Sequence, residues 1–208
     1  MKHSDVREIG AEWISYQAIE QLKIKEYLQS IGWEEEQINL TITQLISRAV
    51  YPASELKTTQ WIRENSAVCE LTQYPIDTIT KDKLYLNALK LYAIKEGLED
   101  HLSNRTNELF DLQDKILLYD LTNTYFEGEK RKSKLSQYGR SKEKRSDAKL
   151  IVLALVINQE GFQKYSAIYE GNKADCTTLI DMVKKLCQKT NTDTTLKKLV
   201  ILDAGIAT

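Results

Sequence analysis

The chain has 208 residues, 42% hydrophobic and 28% charged, with a formal net charge of -1; this is the balance of an ordinary folded globular protein, and it excludes disordered and fibrous classes. No apolar run approaches the ~18 residues a bilayer-spanning helix needs, and the opening residues, Met-Lys-His-Ser-Asp-Val-Arg-Glu, lack the apolar core of a signal peptide, so the expected location is the cytoplasm. Cys69, Cys176 and Cys187 have no metal-ligand spacing and read as reduced, mostly buried thiols, while His3 and His101, the only histidines, leave little material for histidine-based catalysis.

Residues 1 to about 110 are expected to be helical almost throughout. Ile24, Tyr27, Leu28 and Ile31 fall at i, i+3, i+4 and i+7, and Gly32 offers a left-handed stop. Glu34 to Glu36 suit the first turn of a helix whose apolar stripe is Ile38, Ile42, Leu45, Ile46 and Ala49, and Tyr51-Pro52 ends it. Ser54 is an N-cap for a helix carrying Leu56, Trp61 and Ile62, and Ser66 opens a short one through Leu71. After Pro75, Thr80 caps a longer helix with the stripe Leu84, Ala88, Leu91 and Tyr92, which pauses near Gly97 and resumes toward Phe110.

Beyond Asp111 the period of 3.6 gives way to continuous apolar runs. Ile116 to Tyr119 has the form of a strand buried on both faces, and it delivers Asp120 into that strand. Leu150 to Ile157 is a second buried strand, Asn158-Gln-Glu-Gly161 a turn, and Phe162 to Tyr169 its antiparallel return. Asp175 or Thr177 caps a helix with Leu179, Ile180, Met182, Val183, Leu186 and Cys187 on one side, and Leu199 to Asp203 is a final strand. A helix before the last strand implies a crossover, which lets that strand lie parallel to the first and beside it. The expected fold is therefore α/β (α+β): a helical region over 1–112, then a mixed sheet over 113–208 in the order strand, strand, strand, helix, strand.

Two features of this order carry chemistry. Lys198-Leu-Val-Ile-Leu-Asp203 repeats the form of the Asp120 run, an apolar stretch and then an aspartate, 83 positions later (203 minus 120). Two carboxylates on neighbouring parallel strands make a site for Mg²⁺ or Mn²⁺, because such ions take oxygen ligands and leave positions for substrate phosphate. The second feature is charge. Between Glu129 and Lys149 nine basic residues (Lys130, Arg131, Lys132, Lys134, Arg140, Lys142, Lys144, Arg145, Lys149) stand against three acidic ones (Glu129, Glu143, Asp147). Such a run is a solvated face or a phosphate-backbone contact, and its place directly after the Asp120 strand favours the second. No Gly-rich phosphate loop, Ser-His-Asp set or Cys/His cluster competes.

Taken together, these residues resemble the DDE transposases of bacterial insertion sequences, in the RNase H-like superfamily, and most closely the branch with a long insertion before its final catalytic glutamate. The matching segments are Tyr-Pro-Ala-Ser-Glu-Leu (51–56) with Trp61, Tyr-Asp-Leu-Thr-Asn-Thr-Tyr-Phe-Glu (119–127), Tyr-Gly-Arg-Ser-Lys (138–142) with Arg145 and Asp147, Glu-Gly-Asn (170–172) with Asp175 and Thr178, and Leu-Asp-Ala-Gly (202–205). The resemblance implies that Asp120 and Asp203 are the first two acids of a catalytic triad, that the sheet is the front of an RNase H-like domain, and that the helical region helps bind transposon ends. It implies a third acid too, a glutamate on a helix well beyond the second aspartate, for which a chain ending at Thr208 has no place.

The expectation is thus a nucleoid-associated DNA-transposition protein in truncated form, from a shortened or frameshifted gene. Its ancestral chemistry is Mg²⁺-dependent strand cleavage and transfer at terminal inverted repeats, with Asp120 bridging two ions and Asp203 holding one. Lys130, Arg131, Lys132, Arg140, Lys142, Lys144 and Arg145 are the expected DNA contacts. Strands 150–157 and 199–202 are expected to keep an exposed apolar side, open to self-association or to pairing with a full-length transposase. The alternative is a non-catalytic DNA-binding or transposase-interacting remnant. Glu170 and Asp147 read equally as motif residues or as hairpin-end and loop charges, and Tyr125 and Phe126 read as core.

Overall fold

The computed structural model describes residues 6–126, 133–139, 147–173, 178–180, 182, 183, 185 and 199–202. The chain forms two compact units, Met1–Arg105 and Thr106–Thr208. Among the described residues it is a helical N-terminal region followed by a four-stranded mixed sheet.

The helical unit comprises α1 (Gly10–Gln21), α2 (Ile24–Ser30), α3 (Glu35–Val50), α4 (Glu55–Glu64), α5 (Val68–Thr72), a 3-10 turn at Ile76–Thr78, α6 (Lys81–Ala93) and the greater part of α7 (Lys95–Phe110). Of the expected serine and threonine caps, two form: the Ser54 hydroxyl accepts from the Lys57 amide at 3.5 Å and the Thr80 hydroxyl from the Lys83 amide at 3.3 Å. Gly32, at φ +83°, ends α2 in the left-handed region. Ser66 does not cap α5, whose N-cap is Ala67, although the Ser66 hydroxyl accepts from the Val68 amide at 3.2 Å.

α3 is the centre of this unit. It buries more than the predicted stripe, because Leu40, Thr41, Thr43, Gln44 and Ser47 are enclosed along with Ile38, Ile42 and Ile46, whereas Ala49 is exposed. Leu28, Ile38, Ile46, Ile62 and Leu84 are wholly or almost wholly buried here, each worth about 2 kcal/mol of apolar transfer. On α6 the predicted stripe holds only in part. The buried residues are Leu84 and Asn87, with Leu91 half-buried, while Ala88 and Tyr92 face water. The α6–α7 break is also displaced, lying at Ile94 rather than Gly97. Gly97 stays helical, and a Cβ there would strike the Tyr27 hydroxyl, so this glycine makes room for a ring rather than ending a helix. Cys69 is a free, buried thiol, and burial, only partly countered by Arg7, pushes its pKa up to about 11. No helix among the described residues is long and apolar enough to cross a membrane.

The second unit is built on β1 (Ile116–Tyr125), β2 (Leu150–Asn158), β3 (Gln163–Glu170) and β4 (Leu199–Leu202), in the spatial order β3-β2-β1-β4. β1 is antiparallel to β2 and, in keeping with the crossover expected before the last strand, parallel to β4. The β2–β3 turn closes at Gly161, φ +88°, and Asn158 ties it by accepting from the Phe162 amide at 2.8 Å. A register shift after Val156 leaves Lys164 as an extra residue in β3, and this bulge is why the consecutive Lys164 and Tyr165 are both buried.

One face of the sheet carries Leu117, Tyr119, Leu121, Leu150, Val152, Ala154, Val156 and Tyr165 into a core with Met182 and Leu179, which belong to a helical stretch following Thr178. The opposite face is not closed to the same degree. Asp120, Thr122 and Thr124 are exposed there, and so are Ile168, Leu199 and Ile201. β1 is therefore buried on one face only, contrary to the two-sided burial its apolar run suggested. Beyond Tyr119 the open face carries only polar side chains, Asp120, Thr122 and Thr124, while Leu121 and Tyr125 turn to the core, which is the pattern of a strand with one wet face.

Candidate functional site

Asp120 lies at the middle of β1, opposite Leu155 of β2, with its side chain on the open face beside Leu118 and Thr122. On the other flank the parallel pairs are Ile116 with Leu199, Leu117 with Val200, Leu118 with Ile201 and Tyr119 with Leu202. Each strand's next residue in sequence is an aspartate, Asp120 after Tyr119 and Asp203 after Leu202. Asp203 itself lies outside the described residues. Paired strands run ~4.8 Å apart, and Tyr119–Leu202 is the last described pair of this register. Among the described residues no three His, Cys, Asp or Glu side chains gather into a metal-holding group.

Lys130, Arg131, Lys132, Arg140, Lys142, Lys144 and Arg145, the predicted DNA contacts, also lie outside the described residues, as do Asp175, Thr177, Cys176 and Cys187. The pieces of chain next to the basic residues are placed. Gln137 forms an antiparallel bridge with Leu150, with amide-to-carbonyl distances of 3.1 and 2.9 Å, and the Gly171 amide donates to the Leu135 carbonyl at 3.2 Å. Gly139 packs directly on the Gly171 backbone, and a Cβ on either glycine would overlap carbonyl oxygens. The Tyr-Gly and Glu-Gly-Asn segments, some 30 residues apart in sequence (171 minus 139 is 32), thus meet at the far end of β2.

Other motif residues have structural partners. The Tyr119 hydroxyl donates to Thr178 at 3.0 Å, linking the Tyr-Asp-Leu-Thr strand to the helical stretch that covers its buried face. Tyr51 stacks on Trp61 with centroids 5.2 Å apart, and Arg48 pairs with Glu55 at 2.8 Å, so the Tyr-Pro-Ala-Ser-Glu-Leu segment builds the corner between α3 and α4. Glu170 and Asp147 are exposed. Tyr125 packs against the sheet core and Phe126 is half-buried, in keeping with a core role.

Two groupings were not legible in advance. A buried polar cluster joins Asn107, Asp114, Asn158 and Lys164. Tyr138, in the basic stretch, is 59% exposed with the Lys149 ammonium 5.9 Å from its ring centroid; the sequence signal for it was an aromatic residue inside a run of cations.

In comparison with known proteins, the chain matches no protein family, no curated protein and no solved structure.

Proposed function

We propose that this chain carries two acids of a metal-dependent DNA-processing site, Asp120 and Asp203, of the kind found in insertion-sequence transposases. The observation that supports it most is the parallel pairing of Tyr119 with Leu202, the residues that immediately precede the two aspartates. A lone aspartate at a strand end is commonplace. Two of them following paired residues on neighbouring strands, one projecting from an open sheet face, are a donor set suited to a hard cation.

Asp120 and Asp203 would hold Mg²⁺ or Mn²⁺ through carboxylate oxygens. Bound there, such an ion supplies activation of a water or a 3′-hydroxyl and stabilisation of the leaving oxygen in phosphoryl transfer. Asp120 presents its carboxylate on the wet face, where a phosphodiester can reach it. The cationic residues between Lys130 and Arg145 bind the phosphate backbone, and the helical unit contributes to holding transposon ends.

Calorimetric titration with Mn²⁺ tests the reading. The wild-type chain binds the ion and the Asp120→Asn, Asp203→Asn double variant loses most of that binding, since the two carboxylates repel one another in the empty site and the ion relieves this. Equal affinity in the two proteins would overturn the proposal. Metal binding without Mn²⁺-dependent nicking of end-labelled DNA separates a non-catalytic remnant from an enzyme.

A further inference from the structure

We infer that Tyr138 and Lys149 form a stacking site for an unpaired nucleotide of a DNA strand, the ring taking the base and the ammonium the adjoining phosphate. The inference rests on the DNA-processing reading and deepens it. A tyrosine in a loop ordinarily tucks its ring against the nearest core, but Tyr138 belongs to neither hydrophobic core and leaves 59% of its surface in water. The loop that carries it is nevertheless tied down on both sides. Gln137, just before it, is paired with Leu150, and Gly139, just after it, rests on the Gly171 backbone. Holding an aromatic ring outward on a fixed support is preorganisation, because little freedom is left to lose when a ligand arrives.

The chemistry of the pair narrows the ligand. A π-face takes another flat ring, a cation takes an anion, and 5.9 Å between the Lys149 nitrogen and the Tyr138 centroid keeps the two within the span of one residue of ligand. A nucleotide has both halves, a base and a phosphate. Duplex DNA offers the phosphate but keeps its bases stacked between neighbours, whereas an unpaired strand leaves base faces free for an aromatic side chain. An acidic peptide would engage Lys149 and leave the ring without a purpose. The surrounding sequence, nine cations against three anions from Glu129 to Lys149, suits a polyanion rather than a small neutral ligand.

The test uses the full chain with a fluorescein-labelled single strand, the blunt duplex of the same sequence, and a single strand containing 2-aminopurine. Tyr138→Ala is expected to weaken single-strand binding about tenfold, to leave the duplex affinity unchanged, and to abolish the quenching of 2-aminopurine that stacking produces. Tyr138→Phe, which keeps the ring, should behave as wild type. Lys149→Ala should lower the log-log salt slope for single strands by about 0.7, the value for one phosphate contact. Equal losses on single strand and duplex, or quenching that survives Tyr138→Ala, would overturn the inference while leaving the DNA-processing reading in place. Absence of any DNA binding by the wild-type chain would overturn both.

Discussion

The Lys164 ammonium lies 2.9 Å from the Asp114 carboxylate, with only 5% and 11% of the two side chains exposed. Asn107 and Asn158 complete the cluster: each donates to Asp114, at 2.9 and 3.0 Å, and Lys164 also donates to Asn107 at 2.6 Å. Four segments are joined in this way: the end of α7, the lead into β1, the end of β2 and the bulge of β3. The stack of Phe110 on Phe162, centroids 5.1 Å apart, reinforces the same junction. β1 is therefore anchored at the end where it begins, two residues after Asp114, and this anchoring sets the height at which Asp120 emerges.

The junction makes stability depend on pH in a defined direction. Burial alone would raise the Asp114 pKa, but the hydrogen bonds from Lys164, Asn107 and Asn158 outweigh it and hold the carboxyl below its ordinary 3.8. A carboxyl whose folded pKa is depressed stabilises the protein above the unfolded value, and the contribution is lost as pH falls through the folded one. Asp114→Asn should thus cost about 3 kcal/mol near neutrality, and the difference from wild type should shrink as pH drops below 3.8. Urea unfolding at neutral pH and at acid pH measures it; a difference that grows toward acid would contradict the assignment.

Gly171 presents a steric rather than an electrostatic case. A Cβ at this position would run into the carbonyl oxygens of Leu150 and Gln137, which are backbone atoms engaged in the bridge between these two residues. Gly171→Ala should destabilise by about 3 kcal/mol, at the upper end of overpacking costs. Gly10→Ala is the control, since nothing stands within 4 Å of the added methyl, and removing a glycine from a helix start should be neutral or slightly stabilising. Comparable unfolding midpoints for the two variants would show that the loop yields more readily than its backbone contacts indicate.

Asn87 anchors α6 to α3 by hydrogen bonds rather than by apolar contact. Its amide nitrogen donates to Gln44 at 2.7 Å, its oxygen lies 2.8 Å from the Thr41 hydroxyl, and Gln44 donates in turn to the Leu84 carbonyl at 3.1 Å. Asn87→Leu strands these buried partners and should cost about 3 kcal/mol. Leu89→Ala, although it truncates a larger apolar residue of the same helix, should change stability by less than about 0.5 kcal/mol, because Leu89 is 66% exposed. Thermal unfolding of the two variants checks the order, and a larger loss for Leu89→Ala would reverse the account of which face α6 buries.

That contrast shows where sequence reasoning held and where it stopped. Elements whose signals are local came through: the Ser54 and Thr80 caps, the Gly32 stop and the Gly161 hairpin each depend on one residue's own conformational chemistry. The adjacency of β1 and β4 came through as well, because a helix before the last strand implies a crossover that brings that strand back parallel to the first. Asn87 did not, since hydrophobic periodicity scores it as surface, and its burial depends on Gln44 and Thr41 standing opposite on another helix. Lys164 was missed for the same reason: a buried lysine becomes favourable only where a distant Asp114 meets it, and the bulge that admits it leaves no signature in the run Gln163 to Glu170. For the candidate site, the two aspartate-ending strands were legible from their repetition, whereas the one-sided burial of β1 depended on which face the helical stretch after Thr178 covers.

The whole chain carries -1, while residues 129–149 carry +6 (nine cations less three anions), so the remainder carries -7 and the excess of positive charge lies in this segment. The segment's share of any duplex affinity is therefore expected to be electrostatic, and because lysine and arginine on phosphates read no bases, it should be largely independent of sequence. Each phosphate contact releases counterions and contributes about 0.9 to the slope of log affinity against log salt. Replacing Lys130, Arg131, Lys142 and Lys144 with alanine should lower that slope by about 3.6, and should do so equally for duplexes of unrelated sequence. The unfolding midpoint of the fourfold variant, measured alongside, separates loss of binding from loss of fold. Anisotropy titrations of wild type and the fourfold variant across a salt series supply the measurement. A wild-type affinity that is flat in salt, or a slope unmoved by the four substitutions, would place the DNA contacts elsewhere and leave the segment as a solvated face.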